Sequence, residues 1–318
     1  MTVQELGNGR LLVDLGFQDL EGVIGSYLLP EEEGWALVEV GPTTCEARLL
    51  QGLREAGVEP RDVRDVLVTH IHLDHAGGAG LLADHLPRAT FHIHEVGVPH
   101  MIDPRRLQES ARRAWGPASD QLWGEIRPLP ATRIHALKGG ERIMLAHGKA
   151  LHVLPAPGHA RHHLAFFDAL TQTVFTGDGA GVLVPGARHI RPAMPPPDLD
   201  IEQLLHSLQA MADTSPQKLA FSHYGVFDHA QDRLKEAGQA VERWRDVALA
   251  AARKEPTVAH VTHALEDEEQ RRSREEGEPS DLASRSQAIS GLEMAAMGLL
   301  RYFERSGLLP PKPPHGNA

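Results

Sequence analysis

An α+β fold, a mixed strand-and-helix core followed by an all-helical appendage, is what this sequence predicts, and three observations carry it. Short β-branched and aliphatic runs alternate with helical spacing through the first part of the chain. Four of those runs end on histidine or aspartate beside glycines. After Phe227 the strand character stops and long helical patterns take over.

Arg10–Leu15 and Val23–Leu29 run apolar between Gly and Pro punctuation and read as paired strands. Trp35–Val40 is a third, ended by Gly41-Pro42. Thr43 and Thr44 are candidate N-caps for a helix through Leu53, with Glu46, Leu49, Leu50 and Leu53 at helical spacing. Val66–Val68 has the composition of a buried strand. Behind it come His70, His72, Asp74 and His75, then Ala76–Gly80 opening a helix to about Leu86, then the strand Thr90–His94. Residues 95–132 break this rhythm: Pro99, Pro104, Pro117 and Pro128 cut the stretch into short helical pieces. Such an insertion can wall or cover a neighbouring site, or merely cap the core, and the pattern leaves both readings open.

Strands return at Arg142–Leu145 and Ala150–Leu154, the latter running into Pro155-Ala156-Pro157-Gly158-His159. Leu164–Phe167 and Thr173–Thr176 follow, and the second ends in Gly177-Asp178-Gly179. Lys218–Ser222 ends at His223-Tyr224-Gly225. Ala230–Lys254 and Leu282–Arg305 read as long helices. Between them Glu266–Asp281 is charge-mixed and reads as a mobile segment or an exposed helix, and the proline-rich tail 309–318 as disordered. The division expected is a catalytic domain over 1–227 and a helical extension over 228–318.

The loop after Val66–Val68 carries the chemistry. Imidazole and carboxylate suit zinc, iron or manganese, and a strand end holds them rigidly. The single cysteine, Cys45, is far away, so a thiolate-rich structural site is not on offer. A nitrogen and oxygen set favours a catalytic centre that keeps positions open to water. Four donors from one loop exceed what one ion accepts at good angles, so two adjacent metals are the natural reading. With 20 histidines in the chain, any one of them is weak support; an H-x-H-x-D-H cluster at a strand end is not.

The formal net charge of −11 leaves no basic surplus for a phosphate backbone, so nucleic acid is not the expected partner. One cysteine fits a reducing compartment, no secretory pattern opens the chain, and no apolar run is long enough to span a membrane. The expectation is a cytoplasmic, soluble protein with a small-molecule substrate and no membrane partner. Oligomeric state is left open, a homodimer included.

The segments THIHLDHAGG, APGHA, FTGDG and FSHYG, in that order, resemble the metallo-β-lactamase-fold hydrolases over about Gly9 to Phe227. The resemblance implies an αββα sandwich, two mixed sheets face to face with helices outside and a dinuclear site at one edge. It implies His70, His72 and His159 as ligands of a first metal, Asp74, His75 and His223 of a second, and Asp178 as the bridging carboxylate. Two divalent ions, zinc first with iron or manganese admissible, would lower the pKa of water held between them. Asp74 can also orient that water or handle its proton.

Other residues carry less. His163 resembles a histidine that supports the ligands in relatives. His162 beside it reads as exposed. Tyr224 is a candidate hydrogen-bond donor to an oxyanion or leaving group, and Arg191 a candidate contact for an anionic substrate; core packing and plain surface exposure compete equally. Glu39 stands where many relatives carry Asp, which changes the support beneath the site by a methylene.

The implied activity is hydrolysis of a small ester-type bond, a glyoxalase II-like thioester first, a lactone or phosphoester next. A β-lactamase-type amide hydrolase is disfavoured because neither an export signal nor a cysteine ligand is seen. A mononuclear iron oxidoreductase of the same fold, persulfide dioxygenase-like, is the reading from another class.

Overall fold

Turn chemistry sets the first strands. Asn8 and Gly9 both sit at positive φ, the backbone a two-residue hairpin needs, and they fold β1 (Val3–Gly7) back on β2 (Arg10–Asp14). The hairpin continues antiparallel into β3 (Gly25–Glu31) and β4 (Gly34–Val38). Helical crossovers then make the pairing parallel. α1 (Glu46–Glu55) leads to β5 (Val63–Leu67); α2 (Leu73–Ala76) and α3 (Ala79–His85) lead to β6 (Thr90–His94); α4 (Val98–Ile102), α5 (Arg105–Trp115) and α6 (Ala118–Trp123) lead to β7 (Ile134–Leu137). The computed structural model describes residues 2–279, 282 and 291–310. Among these, β1 to β7 form one seven-stranded sheet in sequence order.

A six-stranded sheet faces it, built from β8 (Arg142–Met144), β9 (Ala150–Pro155), β10 (Leu164–Asp168), β11 (Thr173–Gly177), β12 (Lys218–Phe221) and β13 (Gly225–Asp228). Its pairs are antiparallel except β11 with β12, which α7 (Ile201–Asp213) connects. Asp200 caps α7, its side chain accepting from the Gln203 N–H.

Alternation along the strands sorts the core into layers. Leu12 and Leu67 point into the sandwich against Leu151, Val153, Phe166 and Phe175, while their neighbours Val13 and Val66 point outward onto Leu49, Leu53 and Leu82 of the helices. On the far side Val174, Leu219 and Phe221 pack against Leu208 and Met211 of α7. Each such fully buried side chain contributes about 1.5–3 kcal/mol. The result is an αββα sandwich.

The helices α8 (Ala230–Lys254), α9 (Val258–Glu276) and α10 (Leu292–Arg305) follow. They share a core of Trp244, Val261, Leu265, Leu299 and Phe303 with Met194, Leu199 and Leu204 of the sandwich. Among the described residues no helix is long and apolar enough to cross a membrane.

Several expectations need correction. Thr43 and Thr44 do not cap α1, whose N-cap is Cys45. Their hydroxyls instead donate to the carbonyls of Glu125 (2.8 Å) and Leu122 (2.9 Å), tying the 95–132 insertion to the start of α1. Most of Glu266–Asp281 is the end of α9, with Glu268 and Glu269 buried rather than solvated; residues 280 and 281 lie outside the described residues, as do 283–290 of the long C-terminal helix expected from the sequence and 311–318 of the tail.

One end of the sandwich holds a row of ionisable groups. Glu31 on β3 bonds Asp65 on β5, and Asp65 in turn bonds His92 on β6. Burial, then the hydrogen bond and charge of Asp65, push the Glu31 carboxyl up to about 9. The folded chain therefore holds this proton where the unfolded chain releases it near 4.5. Its contribution to stability is full below about pH 4.5 and is lost as pH rises through 9. Glu31→Gln should thus remove a stability loss on the alkaline side: melting temperatures of parent and variant should diverge in the variant's favour from pH 6 to pH 9. Parallel curves would refute the assignment.

Candidate metal centre

Strand direction places the donors. β9 and β11 run the same way because β10 lies antiparallel between them, and β12 is parallel to β11. Their C-terminal ends therefore share one edge of the second sheet, delivering His159, Asp178 and His223. The end of β5 delivers His70, His72, Asp74 and His75 from the first sheet. Gly177 allows the closest approach: its φ is +52°, and a Cβ there would stand 2.6 Å from both His163 Nε2 and Thr69 Oγ1.

All seven residues expected from the sequence converge. His70 Nε2 and His159 Nε2 lie 2.9 and 3.0 Å from His72 Nδ1. His75 Nε2 and His223 Nε2 lie 3.6 and 3.5 Å from Asp74 Oδ2. Asp178 sits between the two groups. Its Oδ2 is 4.0 and 3.5 Å from His70 and His159, and its Oδ1 is 3.3 Å from both His75 and His223.

The outward nitrogens show which atoms are free. His70 Nδ1 donates to Thr69 Oγ1 (3.0 Å), His159 Nδ1 to the Ala193 carbonyl (2.9 Å) and His223 Nδ1 to the Val23 carbonyl (3.2 Å). A neutral imidazole spending its proton outward presents a bare lone pair inward. Burial, reinforced by neighbouring histidines, holds His70 well below the usual range and His72 down to about 4. Burial also opposes charge on His75 and His223, but Asp178 and Asp74 outweigh it and raise both, His223 to about 9. Desolvation opposes charge on the partly buried Asp74, yet His75 and His223 beside it hold its carboxyl at about 2.

His70 Nε2 and His159 Nε2 facing His72 Nδ1 at 2.9–3.0 Å, beside the buried His75 Nε2, His223 Nε2 and Asp178 Oδ1 that make no hydrogen bond, form a set of inward-facing donors that a cation would satisfy. Three overlapping groups have donor atoms close enough to share an ion: His70–His72–His159, His70–His75–Asp178 and Asp74–His75–His223. These buried clusters fit a metal site, and their donors are those borderline divalent ions prefer.

The supporting residues divide. His163 lies beneath the cluster, its Nε2 accepting the Asp178 backbone N–H at 3.1 Å. His162 is buried rather than exposed, stacked parallel on His70 at 6.2 Å. Glu39, on the end of β4, is fully buried: its Oε1 accepts from the Thr69 and Ser222 hydroxyls and stands 3.3 Å from His75 Nδ1. The longer side chain thus spans the ends of β5 and β12, a role its sequence context hinted at only as a departure.

Tyr224 is not brought to the cluster by any hydrogen bond among the described residues. Its ring packs against Gly25 and the inter-sheet core, and burial raises its hydroxyl well above 10, with Asp14 and Glu21 adding to the effect. Arg191 is paired with the C-terminal helices. Its Nε donates to Glu269 Oε2 at 2.6 Å, and it lines a cavity of about 410 Å³ against α9.

Comparison with known proteins agrees with this geometry. The chain is 27% identical over 228 residues to YobT of Bacillus subtilis (strain 168), covering 69% of this chain and 91% of that protein. It is 30% identical over 152 residues to a hydroxyacylglutathione hydrolase of Synechococcus sp. (strain JA-2-3B'a(2-13)), covering 48% of this chain and 47% of that enzyme. A solved beta-lactamase domain protein from Burkholderia ambifaria superposes with a TM-score of 0.66 at 18% identity, over 97% of this chain and 90% of that one, and shows the same fold. The family model described as Metallo-beta-lactamase superfamily matches residues 21–223, a span that takes in all four donor-bearing strand ends, and the chain belongs to that superfamily.

Proposed function

We propose that the protein is a dinuclear metal-dependent hydrolase of a small ester-type bond, with a thioester the first choice and a lactone or phosphoester next. The observation that carries this reading is Asp178, whose two oxygens face two separate donor groups. Likeness to a hydroxyacylglutathione hydrolase over about half of that enzyme's length supports the thioester.

His70, His72 and His159 would hold one ion, Asp74, His75 and His223 the other, with Asp178 touching both. Two divalent ions, zinc the leading candidate with iron or manganese admissible, supply the charge that brings the pKa of water toward neutrality and polarises the substrate's carbonyl or phosphoryl oxygen. The chain's own residues do the rest. Asp74 turns Oδ2 to His75 and His223, which leaves Oδ1 to orient an attacking water and accept its proton. His163 and Glu39 hold Asp178 and His75 in place, so little reorganisation is needed during reaction.

Metal analysis of anaerobically purified protein, with turnover of thioester, lactone and phosphoester panels, tests the reading. Two equivalents of metal and thioester hydrolysis that chelation removes and zinc restores are expected. One iron with oxygen consumption would instead select a mononuclear oxidoreductase.

A further inference from the structure

Ala193, whose carbonyl accepts the His159 Nδ1 proton, belongs to a strap over residues 188–193 that the C-terminal helices grip at several points. Three carboxylates of the extension hold it. Glu278 Oε1 accepts from the backbone N–H of Arg188 (2.6 Å) and of His189 (3.2 Å). Glu236 Oε1, on α8, accepts from the Ile190 N–H at 3.0 Å. Glu269, on α9 and 4% exposed, accepts from Arg191 Nε (2.6 Å) and His189 Nε2 (3.1 Å) on one oxygen, and from the Trp244 indole N–H (2.9 Å) on the other. At the strap's exit a Cβ on Gly298 of α10 would stand 2.1 Å from the Met194 carbonyl oxygen, so only glycine lets that helix rest there.

On its inner side the strap joins the donor loops. Val182 and Arg191 exchange backbone hydrogen bonds at 2.8 and 3.0 Å, and the Leu183 N–H donates to the His223 carbonyl at 3.3 Å. A histidine that must present a bare Nε2 depends on its Nδ1 partner for tautomer and ring orientation. Here that partner is a backbone carbonyl, so its position depends on whatever holds the strap.

We propose that Glu269 is a positioning residue for the metal centre: through Arg191 and the strap it fixes where the Ala193 carbonyl meets His159. The helical extension thereby sets the affinity of the His70–His72–His159 group for its ion. The proposal rests on the reading of that group as a metal site. Removing the charge of Glu269 leaves the buried Arg191 guanidinium unpaired, and a buried unpaired charge moves or drags its segment toward water.

The test compares Glu269→Gln with Tyr302→Phe in the full chain, reading zinc affinity by chelator competition and the visible spectrum of the cobalt(II)-substituted protein. Tyr302→Phe removes a different tie between extension and sandwich, the 2.6 Å hydrogen bond from the Tyr302 hydroxyl to Glu202 on α7, and does not touch the strap. Glu269→Gln should weaken zinc binding at one of two positions about 10- to 100-fold and alter the cobalt spectrum. Tyr302→Phe should lower the melting temperature and leave both readouts unchanged. Where Glu269→Gln does not fold, Trp244→Phe, which removes one hydrogen bond to Glu269, should show the same change in smaller measure. Unchanged affinity and spectrum in the folded strap variant, or equal losses in Tyr302→Phe, would overturn the proposal. A parent chain that takes up no zinc would overturn the metal reading itself and this proposal with it.

Discussion

Asp178→Asn should leave a folded chain that retains at most one metal equivalent and has lost hydrolysis by more than about 100-fold, the upper end of what loss of a mere supporting partner costs in such sites. Asparagine keeps the size and one acceptor oxygen but removes the charge that both donor groups face. It also removes the carboxylate chiefly responsible for raising His75 and His223, leaving Asp74 as the carboxylate beside both imidazoles. Metal stoichiometry by mass spectrometry, read beside thioester turnover, checks the result. Two tightly held equivalents in the variant would show that Asp178 does not span the two positions.

The largest effect on stability is expected at the opposite end of the sandwich. Arg10, at the start of β2, donates from Nε and Nη2 to Asp168 Oδ2, at the end of β10, at 2.7 and 2.6 Å, and the two residues are 4% and 0% exposed. Arg10→Ala strands a buried carboxylate that, among the described residues, keeps only the Leu170 N–H and the Thr171 hydroxyl as partners. A loss of about 3–5 kcal/mol is expected in denaturant melts. The double variant Arg10→Met with Asp168→Leu should recover most of it, because apolar side chains of similar volume carry no desolvation cost. A single variant within experimental error of the parent would mean that the pair contributes nothing net.

The sequence made the donors visible because the chemistry is local: each sits one to eight residues past a short apolar run, in segments where Gly77, Gly158, Gly177 and Gly225 let the chain turn. His70 to His75 fall within six positions, and the other three repeat the design. What stayed hidden was set by distant partners. Val3–Gly7 is half-exposed and weakly patterned, and only the Asn8-Gly9 turn gives it away. Ile134–Leu137 and Gly225–Asp228 are short edge strands defined by their neighbours. α7 follows a proline-rich stretch with no strong start signal except Asp200. The charge-mixed face of α9 looked solvated because nothing in its own residues shows that Glu269 meets Arg191, His189 and Trp244. The partner of Arg191 was hidden for the same reason: nothing near it in the sequence points to Glu269.

The seven donors divide four to three between the two sheets, and they cluster at the rim farthest from Arg10 and Asp168. A cation lodged among them would rivet the open seam of a book whose spine is that ion pair. Loading and clamping then become a single event, and thermal resistance should climb with free zinc by mass action.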